Sequence, residues 1–248
     1  MLEIIKYDEN VHKSIWDNFV KSSNNGTIFH LREFLNYHQS RQFNDCSFIF
    51  KEKDKIQGLF SGAVVNNILH SHPGASFGGF VHNDLSFEIS NQMIDMLITE
   101  AQNKKLNEIV IIPTPFVYYQ SYHEVIEYCL YNKGFKDIEY YISSFVDLDN
   151  NLIEQMHSRK KRYIKKFENQ VKVELSEDLD SFYPILIENK KKHNATPTHS
   201  LDELKLLINK FPDQIKLLLT FKDDKVIGGA LNFITNNHTC ILFYNMID

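Results

Sequence analysis

The sequence predicts an α/β protein, with an α+β mixed sheet, arranged as two tandem halves. In the first half, helix-periodic and strand-periodic segments alternate in an order that places helices on both faces of a sheet. Two stretches that read almost alike, KEKDKIQGLFSGAVVNN from Lys51 and TFKDDKVIGGALNFITNN from Thr220, indicate a second, similar half. Each predicts a strand, a charged turn and a β-branched strand. Because Asp-Lys turns are common between strands, two unrelated hairpins remain the alternative.

The first half, residues 1–148, combines helices with a predominantly hairpin-linked sheet. In chain order, its predicted elements are helices 11–21 and 27–38, strands 46–51, 56–66 and 67–72, helix 86–104, strand 107–113, helix 121–133 and strand 140–148. The stripe expected to be buried on the first helix is Val11, Ile15, Trp16 and Phe19. Asp84 or Ser86 is the predicted N-cap of the third helix, and Gly134 is predicted to close the fourth.

The second half, residues 149–248, follows a boundary near the polar stretch DLDNN. Its predicted elements are a cation-rich helical stretch 151–169, strand 171–175, helices 178–193 and 201–211, and the second hairpin. If the two halves are homologous, the second lacks a helix–strand–helix–strand unit after its hairpin. We therefore expect a second half that is incomplete, because the sequence is a fragment, is degenerate or has a partner that covers the gap.

Composition excludes several classes of protein. The net charge of −5 at pH 7 argues against a general nucleic-acid binder, although a local basic patch remains compatible with it. No apolar run is long enough for a membrane span, and the first residues do not resemble a signal peptide. Cys46, Cys129 and Cys240 form neither a zinc motif nor a disulfide framework. We expect a cytoplasmic protein without stable membrane insertion.

Four stretches, taken in order, resemble the FemAB-like acyltransferases of the GNAT superfamily. They are GASFGGFV, PTPFVYY followed by IEYCLYNKGF, SRKKRYIKKFENQVKVE and KKHNATPTHSLDELKLLINKFPDQIKLL. The resemblance covers nearly the whole sequence and implies two tandem GNAT-like halves, of which the second is truncated. Many relatives belong to cell-surface polysaccharide gene clusters and are known only as N-acetyltransferases. Better-studied relatives transfer amino acids from aminoacyl-tRNA to peptidoglycan precursors.

The first candidate site is the predicted helix in HSRKKRYIKKFEN. Its six cations are Arg159, Lys160, Lys161, Arg162, Lys165 and Lys166. Helical spacing places Arg159, Arg162 and Lys166 on one face, whereas the side chains expected to anchor the other face are Tyr163, Ile164 and Phe167. Arginine and lysine bind phosphate, so the helix suits a diphosphate of a nucleotide-linked sugar, a lipid carrier or CoA. The resemblance singles out Arg162 and Lys165, while a merely solvated helix face and tRNA binding remain alternatives.

The second candidate site is the glycine-rich loop in HSHPGASFGGFVH. Backbone amides in such a loop can bind an anion, and the resemblance implies an acceptor-side role for Gly78 and Gly79. However, the spacing G-x-x-x-G-G differs from the usual GNAT pyrophosphate motif, and a tight turn that needs glycine is the alternative. Tyr118, at the end of a predicted buried strand, is a further candidate for substrate binding, with a core position as its alternative.

The third candidate site is the pair of histidines in KKHNATPTHS. Either His193 or His199 suits a general base that takes a proton from an attacking amine, because the imidazole pKa lies near neutrality. Their alternatives are a helix C-terminal dipole partner for His193 and a loop hydrogen bond for His199. His70, His72 and His82 lack a carboxylate or cysteine at ligand spacing, so we expect no metal.

These features favour an acyltransferase without a covalent nucleophile. The first hypothesis is N-acetyl transfer from acetyl-CoA to an amine of a sugar-nucleotide or cell-envelope precursor, with the basic helix holding a phosphate-bearing sugar or lipid-linked acceptor. The second is aminoacyl transfer from aminoacyl-tRNA to a peptidoglycan precursor. The third is an inactive, truncated binding module. The sequence is also compatible with a homo-oligomer.

Overall fold

The computed structural model describes residues 1–38, 41–148 and 151–247. The chain forms two compact units that are not continuous in sequence. Unit 1 takes residues 1–135, 202–215 and 233–241, and unit 2 takes residues 136–201, 216–232 and the last residues from 242 onward. The division of the sequence into homologous halves near residue 148 stays a prediction, because compactness and duplication are different properties.

Unit 1 contains a seven-stranded mixed sheet. Its strands are β1 Leu2–Lys6, β2 Asn44–Asp45, β3 Phe48–Glu52, β4 Lys55–Val65, β5 Ile68–Ser71, β6 Gly79–His82 and β7 Glu108–Val110. The order is β1-β3-β4-β5-β7, with β2 and β6 also paired to the long strand β4. The β5–β7 pair is parallel, whereas β3–β4 and β4–β5 are antiparallel. The predicted mixed-sheet α/β class is therefore confirmed.

The helices of unit 1 follow the predicted order; α1 is longer than predicted, whereas the other three helices are shorter. They are α1 Glu9–Ser22, α2 Arg32–Leu35, α3 Phe87–Asn103 and α4 Val125–Asn132. The side chain of Ser86 accepts a hydrogen bond from the Ile89 amide, which confirms the predicted N-cap of α3. The buried stripe of α1 is centred on Trp16 and Val20, whereas Val11 and Ile15 are exposed, so the predicted stripe was rotated.

The core of unit 1 lies between the sheet and α3. Phe60 of β4 and Phe80 of β6 pack edge to face with ring centroids 5.1 Å apart. Met93 and Leu97 of α3 belong to the same fully buried cluster. Burying such large apolar side chains is the main stabilising contribution to a domain of this kind.

Helices and strands continue in the later part of the chain. They are α5 Leu152–Gln155, α6 Ser158–Phe167, β8 Lys172–Ser176, α7 Leu179–Lys191, α8 Leu201–Lys210, β9 Ile215–Lys222, β10 Lys225–Ile234 and β11 Cys240–Ile247. The strands form a four-stranded sheet in the order β11-β10-β9-β8. Residues 202–210 of α8 belong to unit 1, where Lys210 forms an ion pair with Glu33.

Both predicted hairpins are present. β3 pairs with β4 through a turn in which Lys53 has a φ of 55°, and β9 joins β10 through Asp223 and Asp224 with φ of 48° and 61°. Left-handed turn residues match the twist of the flanking strands. The shared hairpin design is thus real, whereas its origin by duplication stays a prediction.

Three predicted elements differ from the structure. The expected strand 140–148 has no regular secondary structure and is exposed throughout, because no neighbouring strand supplies its backbone hydrogen bonds among the described residues. The expected helix 27–38 is interrupted at Leu31, whose extended backbone (φ −70°, ψ 138°) ends a short 3₁₀ turn. The expected helix 151–169 is divided between α5 and α6 by Met156, which is also extended (φ −67°, ψ 135°).

Candidate functional site

His199 lies in a buried polar cluster of unit 2. The residue is 5% exposed, and its Nδ1 lies 3.0 Å from the phenol oxygen of Tyr244 on β11. The hydroxyl of Thr198 lies 2.8 Å from the same phenol oxygen. Burial raises the pKa of Tyr244, so the phenol stays protonated near neutral pH and serves as a neutral hydrogen-bonding group.

Helix α7 fixes the backbone of this cluster. The hydroxyl of Tyr183 donates a hydrogen bond of 3.0 Å to the carbonyl oxygen of His199. The ammonium of Lys190, in the last turn of α7, lies 5.6 Å from the ring centroid of Tyr244. Two side chains of one helix therefore hold both ends of the His199–Tyr244 pair.

The His199–Tyr244 contact controls the chemistry of the imidazole. If Nδ1–H donates to the phenol oxygen, then Nε2 is unprotonated and is the atom that can accept a proton. If the phenol donates instead, Nε2 carries the hydrogen and the ring is a donor at that end. The first tautomer suits a general base. The hydroxyl of Thr198 lies 2.8 Å from the phenol oxygen and 3.2 Å from Nδ1, and because a hydroxyl can donate or accept, it is compatible with both tautomers.

His193 has a different setting from His199. It is exposed in the turn after α7, and its amide donates to the carbonyl oxygen of Lys190 at 3.0 Å. The following Asn194 has a φ of 53°, which ends the helix. The structure thus places one predicted histidine in an organised cluster and the other in a solvent-facing turn.

The predicted basic helix is present as α6. The side chain of His157 caps its start by accepting a hydrogen bond of 3.2 Å from the Arg159 amide. Arg159, Arg162 and Lys165 are exposed, and none of the three forms an ion pair with a carboxylate in residues 1–38, 41–148 and 151–247. These three cations are therefore available to an anionic ligand.

The opposite side of α6 is not anchored as predicted. Tyr163, Ile164 and Phe167 are 43%, 54% and 40% exposed, so the helix presents apolar as well as basic side chains to solvent. The guanidinium carbons of Arg159 and Arg162 lie 5.7 Å and 5.9 Å from the ring centroid of Tyr163. The aromatic ring thus packs against the cations of its own helix.

The predicted acceptor-side residues lie together in unit 1. The Gly78 amide donates 2.9 Å to the carbonyl oxygen of Ile112, and Gly79 begins β6 with a φ of +81°. Phe77 connects this loop to Tyr118, since their ring centroids are 5.0 Å apart. The Gly78 amide is engaged within the fold and is not directed at an anion. The left-handed Gly79 fits the tight-turn alternative.

Tyr118 is half-buried at the end of a 3₁₀ turn over Phe116–Tyr118. Burial raises the pKa of its phenol. Its carbonyl oxygen accepts a hydrogen bond of 2.8 Å from the side chain of Asn236, which also lies in unit 1. The residue therefore has a structural contact in addition to its predicted role in substrate binding.

Other titratable side chains of unit 1 are packed inside it. Burial lowers the pKa of His72 and of His82 to about 4. His30 and Arg32 are also buried, and Arg32 pairs with Asp45. Among the described residues, no group of three or more His, Cys, Asp or Glu side chains is placed to hold a metal ion.

Sequence analysis did not identify Tyr244, Thr198, Tyr183 or Lys190. Tyr244 comes 45 residues after His199, and its role depends on β11 passing the loop that carries Thr198. A tyrosine on a predicted strand carries no signal for such a contact. Of these four residues, only Thr198 is adjacent to His199 in the sequence.

A comparison with solved structures identifies the architecture. The crystal structure of FemX matches with a TM-score of 0.62 and 17% sequence identity, over 88% of this chain and 57% of the FemX chain. The protein has a FemX-like fold. The chain spans less than two thirds of the length of FemX. The sequence matches no protein-family profile and no curated protein.

The FemX likeness bears on the expectations drawn from sequence. It supports the FemAB-like resemblance at the level of fold, across most of the chain. It provides no support for acetyl-CoA as donor or for a role in polysaccharide synthesis. Within the described residues, no helix is long and apolar enough to cross a lipid bilayer.

Proposed function

We propose that the protein is an acyltransferase that moves an aminoacyl group from aminoacyl-tRNA to an amine of a peptidoglycan precursor. The FemX-like fold over 88% of the chain is the observation that carries this proposal. The four FemAB-like sequence stretches support it, because the better-studied members of that family perform this transfer. A tRNA donor also places the reaction in the cytoplasm.

The acceptor is proposed to bind through its phosphates to α6. Arg159, Arg162 and Lys165 are exposed cations without carboxylate partners among the described residues. An arginine guanidinium can bind a phosphate through two parallel hydrogen bonds, and the lysine adds a mobile positive charge. A nucleotide-linked or lipid-linked precursor carries the diphosphate that such a pair of groups suits.

His199 is proposed as the general base. The acceptor amine attacks the carbonyl carbon of the aminoacyl ester, and Nε2 of His199 takes the proton that the nitrogen releases. The tetrahedral intermediate then expels the ribose oxygen of tRNA, which takes that proton from the His199 imidazolium as the ester C–O bond breaks. A neutral imidazole whose Nδ1–H is held by Tyr244 is suited to this transfer near neutral pH.

The remaining predicted residues have weaker support. His193 stays an alternative base, although its turn is exposed and no side chain in residues 1–38, 41–148 and 151–247 is seen to fix its tautomer. Gly78, Gly79 and Tyr118 are proposed only as a surface near the acceptor. Acetyl-CoA as donor has no specific observation in its favour, since the Gly78 amide already bonds to Ile112.

A transfer assay with labelled aminoacyl-tRNA tests this proposal. The full chain is incubated with a nucleotide-linked muramyl peptide and, separately, with a lipid-linked one, and the label in each peptide product is measured. We expect label in the product with the native chain and a loss of about 10²–10⁴-fold with His199→Ala. Absence of labelled product with both nucleotide-linked and lipid-linked acceptors would contradict aminoacyl transfer.

A further inference from the structure

Helix α6 has two chemically different sides, and the phosphate-binding proposal uses only one of them. Helical geometry places five cations on one side, namely Arg159, Lys161, Arg162, Lys165 and Lys166. The side chains grouped on the other side are Tyr163, Ile164 and Phe167. The sixth cation, Lys160, projects among the apolar side chains, and its long aliphatic stem can follow their surface.

The apolar side of α6 is uncovered. Ile164 is 54% exposed and Phe167 is 40% exposed, although both are large enough to be core residues. In a soluble domain, a helix of this type normally buries its apolar stripe against a neighbour. In α6 both sides face solvent. A partner that offers an apolar region and anionic groups next to each other would match both sides of the helix.

We propose that α6 docks on an anionic lipid surface. A helix with basic residues on one side and aromatic or aliphatic residues on the other lies in the plane of a bilayer interface. Its apolar side chains enter the region below the headgroups, and its cations reach the lipid phosphates. Three apolar side chains and six cations on ten residues fit this arrangement. Docking is peripheral and reversible.

Charge and apolar character together favour lipid over nucleic acid. A tRNA backbone would satisfy the cations but would leave Ile164 and Phe167 in water. Two copies of α6 packed through their apolar sides would place Lys160 of both copies at the shared seam, which like-charge repulsion disfavours, and would give the other five cations of each helix no anionic partner. A lipid surface supplies both an apolar layer and phosphates to the same helix.

Fluorescence of an introduced tryptophan gives a direct test. The chain has one tryptophan, Trp16, which is fully buried in unit 1. We compare Ile164→Trp with Val11→Trp, because Val11 is an aliphatic residue of α1 that is 68% exposed. Both variants keep the same Trp16 background. They are titrated with vesicles of phosphatidylglycerol and phosphatidylcholine, and with vesicles of phosphatidylcholine alone.

We expect a blue shift for Ile164→Trp with the anionic vesicles only, and no shift for Val11→Trp. The shift should weaken as salt is raised, because ionic screening reduces the attraction between cations and headgroups. No shift for Ile164→Trp, or an equal shift for both variants, would overturn the proposal. Vesicles contain neither donor nor acceptor, so this outcome is independent of the proposed transfer reaction.

Two further variants separate lipid binding from nucleic-acid binding. Ile164→Asn combined with Phe167→Ser keeps all six cations, and we expect its vesicle affinity to fall at least about tenfold. Lys160→Gln should lower vesicle affinity about fivefold. Circular dichroism confirms that each variant is folded. If the double variant bound vesicles normally, or if the native chain bound tRNA but not vesicles at the same salt, α6 would not be a lipid-docking helix.

Discussion

The Nδ1 atom of His199 lies 3.0 Å from the phenol oxygen of Tyr244, and both residues are buried in unit 2. Thr198 and Tyr183 add to the contacts of this pair, Thr198 through its hydroxyl and Tyr183 through a hydrogen bond to the His199 carbonyl oxygen. An imidazole held at one nitrogen by a neutral partner presents its other nitrogen in a defined protonation state. The pair is therefore an arrangement suited to proton transfer.

Substitution of Tyr244 should alter proton transfer without removing the base. We expect Tyr244→Phe to lower kcat about tenfold and to change the pH dependence of kcat, because the tautomer of His199 loses its partner. His193→Ala should change kcat less than about twofold, since only His199 is organised for this role. A pH profile of the native chain and the variants measures both effects. Normal kcat with Tyr244→Phe and a large loss with His193→Ala would reverse the assignment.

Loss of one guanidinium on α6 should weaken acceptor binding. We expect Arg162→Ala to raise the KM for the acceptor by about ten- to hundredfold, because a hydrogen-bonded charged group contributes about 1.5–3 kcal/mol. Lys53→Ala is the matched control, since Lys53 is an exposed cation in the β3–β4 turn. An equal effect of both substitutions would indicate general electrostatic attraction instead of a site on α6.

Acid should destabilise unit 1 through its buried imidazoles. Burial lowers the pKa of His30 to about 3 and that of His82 to about 4, whereas an unfolded histidine titrates near 6.5. Below about pH 6.5 the unfolded chain therefore binds more protons, and the free energy of unfolding falls by up to about 1.4 kcal/mol per pH unit for each histidine. Burial raises the pKa of Glu127, which opposes this loss.

Urea unfolding at pH 7 and pH 5 measures the effect. The native chain should be less stable at pH 5, and His82→Gln should show a smaller difference between the two pH values. Because His82 is fully buried, the variant is compared with itself across pH and not with the native chain. Equal stability of the native chain at both pH values would show that the buried histidines do not control its acid response.

The core of unit 1 can be tested with a pair of helix substitutions. Leu97 of α3 is fully buried, and we expect Leu97→Ala to lower the free energy of unfolding by about 2–5 kcal/mol. Val11→Ala on the exposed side of α1 should change it by less than about 0.5 kcal/mol. Chemical denaturation of both variants measures the difference. A large loss in the free energy of unfolding with Val11→Ala would indicate that Val11 is buried, as the sequence predicted, and would contradict the structure.

Local signals in the sequence predicted local structure well. Helix α3 was predicted with its cap, because Ser86 and the apolar spacing after it act within a few residues. Both hairpins were predicted for the same reason. Residues 140–148 were predicted as a strand, but a strand also needs a partner, and a local stretch of sequence does not specify one.

The candidate site was predicted only in part. Histidine and basic residue types pointed to His199 and α6, since their chemistry is visible in the sequence. The contact of His199 with Tyr244 joins residues that are 45 positions apart, so no local sequence pattern predicts it. The exposure of Ile164 was also missed, because an amphipathic pattern predicts which side is apolar but not whether a neighbour covers it.

The most direct test of the proposed reaction offers both donors at once. The full chain receives aminoacyl-tRNA and acetyl-CoA in equal amounts with one muramyl peptide acceptor, and the mass of the product is measured. We expect the acceptor to gain the mass of an amino-acid residue, with Arg162→Ala greatly reducing the yield. An acceptor that gains the mass of an acetyl group, with no aminoacyl product, would contradict the proposed function.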